Sequence, residues 1–165
     1  MKKFVLKQKL FAFVRKYYVY DEHDQLLYEA KGKMFSLRNM VSLYDTTTQE
    51  LIYTKKKKIF SFMPVHYLYD ASGKEVAVMR QKLSMMKKKV SIDSDFGHLD
   101  VEGNFWALNF GIFKDDVEVT TVSKKYFQLR DTYQVEIQAK TKKDIEFYLM
   151  CVIMIDSKFH EDKNK

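Results

Sequence analysis

Any chemistry in this chain must come from four histidines, one cysteine, a cluster of aspartates or the lysines. His23, His66, His98 and His160 share no metal-ligand spacing, and two of them fall in turns or the tail. Cys151 lies between Met150 and Val152 in an apolar run. Such surroundings raise a thiol's pKa and seal it off, so it reads as an inert core thiol rather than a nucleophile. Asp93, Asp95 and Asp100 surround Gly97 in SIDSDFGHLD. That segment lacks the third acidic position and the distal glutamate of a calcium loop, and hairpin-corner aspartates explain it without an ion. No G-x-S-x-G, phosphate-binding glycine loop or H-E-x-x-H occurs. The expectation is no catalytic set, no metal and no cofactor.

The lysines are stronger candidates. Twenty-nine basic residues against 22 acidic ones leave a net charge of +7. That surplus suits phosphates, anionic lipid surfaces or acidic proteins. Basic runs stand at Lys55–Lys58, Lys87–Lys89, Lys124-Lys125 and Lys142-Lys143. Lys55, Lys57, Lys87, Lys88, Lys89, Lys124 and Lys125 are the candidate anion- or lipid-binding residues, provided the fold brings them to one face. Nucleic acid ranks lower, because the runs lack the interleaved aromatics and glycine-rich loops of a single-strand platform. The plain alternative is that the lysines blunt strand edges and keep a β-rich chain soluble.

The elements that must position these residues form a repeat. VYDEHDQLLYEAKGKMF, LYDTTTQELIYTKKKKIF and LYDASGKEVAVMRQKL each open on a Tyr-Asp pair: Tyr20-Asp21, Tyr44-Asp45 and Tyr69-Asp70. A short polar loop follows, and an aspartate at the first turn position can accept from the backbone two residues on. Each unit ends in a basic-x-Lys-apolar signature. It reads KQKLF at 7–11, KGKMF at 31–35, KKKIF at 56–60 and RQKLS at 80–84, with a looser SKKYF at 123–127. These are repeated antiparallel hairpins. Further strands are expected near 89–93, 98–102, 105–113, 117–123 and 132–139. A single domain of roughly eleven or twelve short strands needs closure to hide its edges.

TKKDIEFYLMCVIMIDSKF breaks the strand pattern. Thr141 and Asp144 form a capping-box-like start, and the residues that follow are apolar on every face. Helix is the favoured reading, with a buried strand competing because of Val152, Ile153 and Ile155. A wholly apolar helix in a β chain calls for an enclosing barrel. The expected domain is 1–160, with 161–165 as a disordered tail. Trp106, Met85 and Met86 read as core or gap-filling residues.

Taken together and in order, KQKLF, the three Tyr-Asp units, VEGNFW, SKKYFQLRDTYQVEI and FYLMCVIMID resemble the LURP-one-related family. That family lies within the tubby C-terminal-like superfamily, and the likeness is to its small bacterial single-domain members. The resemblance implies a mainly β fold: a closed antiparallel barrel of twelve strands around a buried hydrophobic C-terminal helix. Tubby domains bind phosphoinositide head groups through basic residues and phospholipid scramblases share the architecture, but no tubby phosphoinositide motif matches here residue by residue.

The functional expectation is therefore a non-enzymatic module that engages anionic phospholipid head groups or another polyanion. The alternative is a scaffold or regulatory protein that binds a protein partner. A lone cysteine fits a reducing compartment, no signal-peptide pattern opens the chain, and the longest apolar run falls well short of the ~20 residues of a membrane span. The expected place is cytoplasmic, with a peripheral position at the membrane.

One detail bears on the lysines. Against KGKMF, Lys56 and Lys58 belong to the repeat, whereas Lys55 and Lys57 stand where the first hairpin has Ala30 and Gly32. That is the strand face of Tyr53 and Ile59. Either a bulge turns these two lysines outward or they reach towards a barrel opening.

Overall fold

The computed structural model describes residues 1–11, 14–33, 37–82, 89–105, 109–124 and 132–163. The first half holds β1 (Lys2–Phe11), β2 (Val14–Tyr20), β3 (Leu26–Lys33), β4 (Val41–Asp45), β5 (Leu51–Lys57) and β6 (Val65–Asp70). The second holds β7 (Glu75–Lys82), β8 (Lys89–Ser94), β9 (Gly97–Asn104), β10 (Asn109–Lys114), β11 (Val117–Lys124) and β12 (Thr132–Ile137). One helix, α1 (Lys142–Lys163), follows. Every strand pairs antiparallel with its sequence neighbours, and β1 closes on β12 with Phe4 opposite Val135. Closure removes the edges that a twelve-strand meander would otherwise expose.

The repeated corners form as the Tyr-Asp pairs imply. Asp21 Oδ1 accepts from the amides of His23 and Gln25 at 2.9 Å each. Asp45 Oδ1 accepts from Thr47 at 2.8 Å and Thr48 at 3.1 Å, and Asp70 Oδ1 from Ser72 at 2.9 Å and Lys74 at 3.0 Å. Each aspartate thereby satisfies two loop donors that would otherwise face only water. Each loop then turns through one left-handed residue, Asp24, Gln49 or Gly73.

Inward-facing side chains alternate along the strands and close on α1, which is buried on all sides from Phe147 to Phe159. Thr141 caps the helix reciprocally: Asp144 N–H donates to Thr141 Oγ1 at 3.1 Å, while the Thr141 amide donates to Asp144 Oδ2 at 3.1 Å. Inside, Phe147 stacks on Phe96 with centroids 4.1 Å apart. At the far end Phe105 stacks on Phe159 at 4.6 Å.

Two boundaries differ from expectation. The strand expected over 105–113 begins at Asn109, because Phe105 leaves the ladder to pack on the helix. The helix continues past Phe159 to Lys163, since each added turn extends an existing hydrogen-bonded ladder at little cost. Trp106, Met85 and Met86 lie outside the described residues.

The barrel has two unlike ends. At the first, odd-numbered strands begin, α1 enters, and the Asp-capped corners lie. At the second, odd-numbered strands finish and α1 points outward.

Candidate functional site

The repeat lysines have a structural role. Lys7, Lys31 and Lys56 place Nζ 4.4, 5.9 and 4.9 Å from the ring centroids of Tyr20, Tyr44 and Tyr69. The same outward cation–π contact thus recurs in three successive units, diagonally across neighbouring strands. Each lysine precedes its tyrosine by the same interval in the chain, a regularity that could have revealed the contact.

Lys55 turns inward, not outward. It is 0% exposed, and its Nζ donates to Ser157 Oγ at 2.8 Å. It therefore ties β5 to α1 and is not part of a surface site. Lys57, two residues on, is half-buried near the barrel's second end. Around them lies a buried polar cluster. Arg15 Nη1 donates to the Ser157 carbonyl at 3.1 Å, and Tyr17 OH donates to Asp156 Oδ2 at 2.7 Å. Burial, and next the Asp156 carboxylate, push the Tyr17 hydroxyl's pKa well up. His66, opposite Lys57 on β6, is buried, and neither ring nitrogen has a hydrogen-bond partner. Burial first, then Lys55, Lys158 and Lys57, hold its pKa well below the usual value, so it is neutral.

Topology brings the remaining candidates together. Lys57 ends β5, Lys89 begins β8 and Lys124 ends β11, so all three stand at the second end, with Lys89 and Lys124 exposed. Lys87, Lys88 and Lys125 lie outside the described residues. Exposed Lys9, Lys33, Arg38 and Lys58 join this rim. Leu10, Val14, Leu37, Met40, Phe60 and Phe62 also stand there, and among the described residues the only other exposed large hydrophobics are Met1 and Val117.

The acidic residues are sorted the other way. Stretches 1–20, 30–44, 51–69, 76–92, 103–114 and 119–130 contain no Asp or Glu. These are the stretches that lead to and from the second end. The Asp-capped corners gather most of the acids at the first; the exceptions include Asp131, directly before β12 in the chain, and Glu161 and Asp162 in the last turn of α1. This signal was present in the chain, but its meaning depends on stacking the hairpins end to end.

The first end holds the nearest approach to paired carboxylates. Lys142 Nζ donates to Asp45 Oδ2 at 2.8 Å and lies 3.6 Å from Glu146 Oε1, to which Tyr28 OH donates at 3.4 Å. Lys142 and the Thr48 and Thr47 amides hold the Asp45 pKa down, while burial raises that of Glu146 and pushes Tyr28 up to about 12. A groove of about 520 Å³ adjoins the group. Both Asp45 oxygens are engaged, one by the corner amides and one by Lys142, so the cluster clasps the helix start to the β4–β5 corner.

A larger groove of about 1030 Å³ lies by the second rim, against Lys89, Gly103, Phe105, Asn109 and Phe113. Of the three aspartates around Gly97, Asp93 pairs with Arg80 and Asp95 with Lys74, and the His98 ring nitrogens lie 2.6 Å from Asp93 Oδ1 and 3.6 Å from Asp100 Oδ1. Among the described residues no three His, Cys, Asp or Glu side chains group as a metal site. No helix among them is long and apolar enough to cross a membrane.

A closed meander of tandem Asp-cornered hairpins around its own C-terminal helix matches the architecture implied by the sequence resemblance. The chain belongs to the LURP-one-related family, whose model matches residues 2–156. It is similar to the uncharacterised protein YxjI of Bacillus subtilis (strain 168). The two are 24% identical over 160 residues, which cover 97% of this chain and 95% of that protein.

Proposed function

We propose that this protein is a non-enzymatic binding module that docks its lysine-rich rim on anionic phospholipid head groups, acting in the cytoplasm as a peripheral membrane protein. The observation that supports this reading is the segregation of charge. Lys57, Lys58, Lys89 and Lys124 share one barrel end with exposed apolar side chains, and the strand connections from β1 to β11 that reach that end carry no acidic residue, most of the acids lying at the opposite corners. A barrel polarised in this way orients itself before contact, and each lysine held near an anionic leaflet contributes about 1 kcal/mol. The chemistry is electrostatic recognition, with no bond made or broken and no cofactor needed.

Co-sedimentation with phosphatidylserine-containing and pure phosphatidylcholine vesicles tests it. Binding to the anionic vesicles only, weakening as added salt shortens the Debye length below the roughly 8 Å of physiological conditions, is the expected result. Equal, weak binding to both vesicle types would remove the lipid reading and leave a protein partner as the remaining candidate.

A further inference from the structure

The β5–β6 loop is built unlike any corner at the first end. Phe60 is 101% exposed and Phe62 is 97% exposed, with exposed Leu37 and Met40 on the loop before β4. Two fully solvated phenylalanines two residues apart in one loop are unusual on a surface that serves only solubility. Phe60 also adopts φ 59°, a left-handed conformation that a bulky non-glycine residue rarely holds. The loop is nonetheless fastened at its base. Lys58 N–H donates to the Val65 carbonyl at 2.8 Å, and Ser61 Oγ donates to the Met63 carbonyl at 2.5 Å. Lys57 N–H donates to the Arg38 carbonyl at 2.7 Å, linking this loop to the one before β4. Backbone strain kept in a fastened loop, with its apolar side chains turned to water, marks a surface shaped for a partner.

The flanking charges say which partner. Arg38 and Lys58 are exposed beside the apolar tips and Lys57 is half-exposed at the loop's base, and no acidic residue occurs between Leu51 and Tyr69. An apolar tip ringed by cations complements the boundary of an anionic bilayer, where aromatics enter the acyl edge and cations remain among the head groups. We infer that Phe60 and Phe62, with Leu37 beside them, form a wedge that inserts into the head-group boundary of an anionic phospholipid bilayer. This rests on the proposed lipid reading and adds to it that the partner is the bilayer itself rather than a soluble phosphorylated head group.

The test compares two variants of the full chain. The wedge variant is Phe60→Asn with Phe62→Ser, asparagine being tolerant of the left-handed conformation. The charge variant is Lys58→Glu, Lys89→Glu and Lys124→Glu. Both are measured on mixed phosphatidylcholine–phosphatidylserine vesicles and on inositol hexakisphosphate. The wedge variant should melt like the wild type, lose about tenfold or more in vesicle binding, and keep its affinity for the soluble polyanion. The charge variant should lose both. A wedge variant that binds vesicles as the wild type does overturns the wedge but leaves the electrostatic reading intact; a charge variant with unchanged vesicle binding overturns that underlying reading. Phe62→Trp supplies a second readout: its fluorescence should shift to the blue on anionic vesicles, and an unshifted spectrum from bound protein overturns insertion. A wild-type dimer that the wedge variant abolishes, with vesicle binding unaffected, would assign the loop to a second copy instead.

Discussion

Lys55 Nζ donates a 2.8 Å hydrogen bond to Ser157 Oγ inside the barrel, joining β5 to the threaded helix. Ser157 Oγ in turn donates to the Met154 carbonyl at 3.1 Å, so one hydroxyl serves both an ammonium and the helix backbone. Ser157→Ala removes an acceptor from a buried cation and should destabilise the protein by about 1–3 kcal/mol. In that background Lys55→Met, which removes the charge and keeps much of the volume, should recover part of the loss. Urea denaturation of the two single variants and the double checks it: coupled effects are expected, and strictly additive ones would mean that this bond carries little stability.

His66 should make stability fall on acidification. Burial, with Lys55, Lys158 and Lys57 nearby, keeps its folded pKa well below 6.5. The facing groups are Lys55 and Lys57 from β5 and Lys158 from α1, while Met79 opposite it on β7 carries no charge. Between the folded and unfolded pKa values the unfolded chain binds more protons. Stability is therefore full above about pH 6.5 and declines as pH falls below it, by at most about 1.4 kcal/mol per pH unit from this one group. Denaturant midpoints measured downward from neutral pH should show the decline in the wild type and a flatter profile in His66→Leu. Parallel profiles would contradict the assignment.

The thiol of Cys151 is fully buried, and burial pushes its pKa far up. A thiol-disulfide reagent should leave the native protein unmodified and label it only in denaturant. Fast labelling of the folded chain would show that the helix leaves the barrel readily.

The corner aspartates should not be equivalent. Asp45 caps two amides and also accepts from Lys142, whereas Asp21 caps its corner alone among the contacts above. Asp45→Ala should therefore cost more than Asp21→Ala, by about 1 kcal/mol or somewhat more, in thermal or urea unfolding. Equal losses would mean that the Lys142 clasp is not felt.

The parts of the fold visible in the sequence are those decided locally. An aspartate at a corner acts on amides two to four residues away, so the Tyr-Asp hairpins show in the chain itself. The Thr141–Asp144 cap and an apolar segment with no polar face likewise announce a threaded helix. The direction of Lys55 was legible as an inward strand position, but whether a bulge would reverse it depended on the β4–β5–β6 register. The burial of His66 leaves no trace in the sequence, because nothing among its neighbours signals that Lys55 and α1 enclose it. The rim was half visible. Lys57, Lys89 and Lys124 stood out as charges, yet their common end, and the exposed Phe60 and Phe62 beside them, follow only once consecutive hairpins are closed into a barrel.

The central claim is that position, not net charge, directs this protein to an anionic surface. Two charge-matched triple variants test it on phosphatidylserine-containing vesicles: Lys58→Glu, Lys89→Glu and Lys124→Glu at the second end, and Lys2→Glu, Lys3→Glu and Lys140→Glu at the first. Both change the net charge equally. The account predicts that the first loses vesicle binding and its salt dependence while the second retains both. Equal losses in the two variants, or none in either, would contradict it.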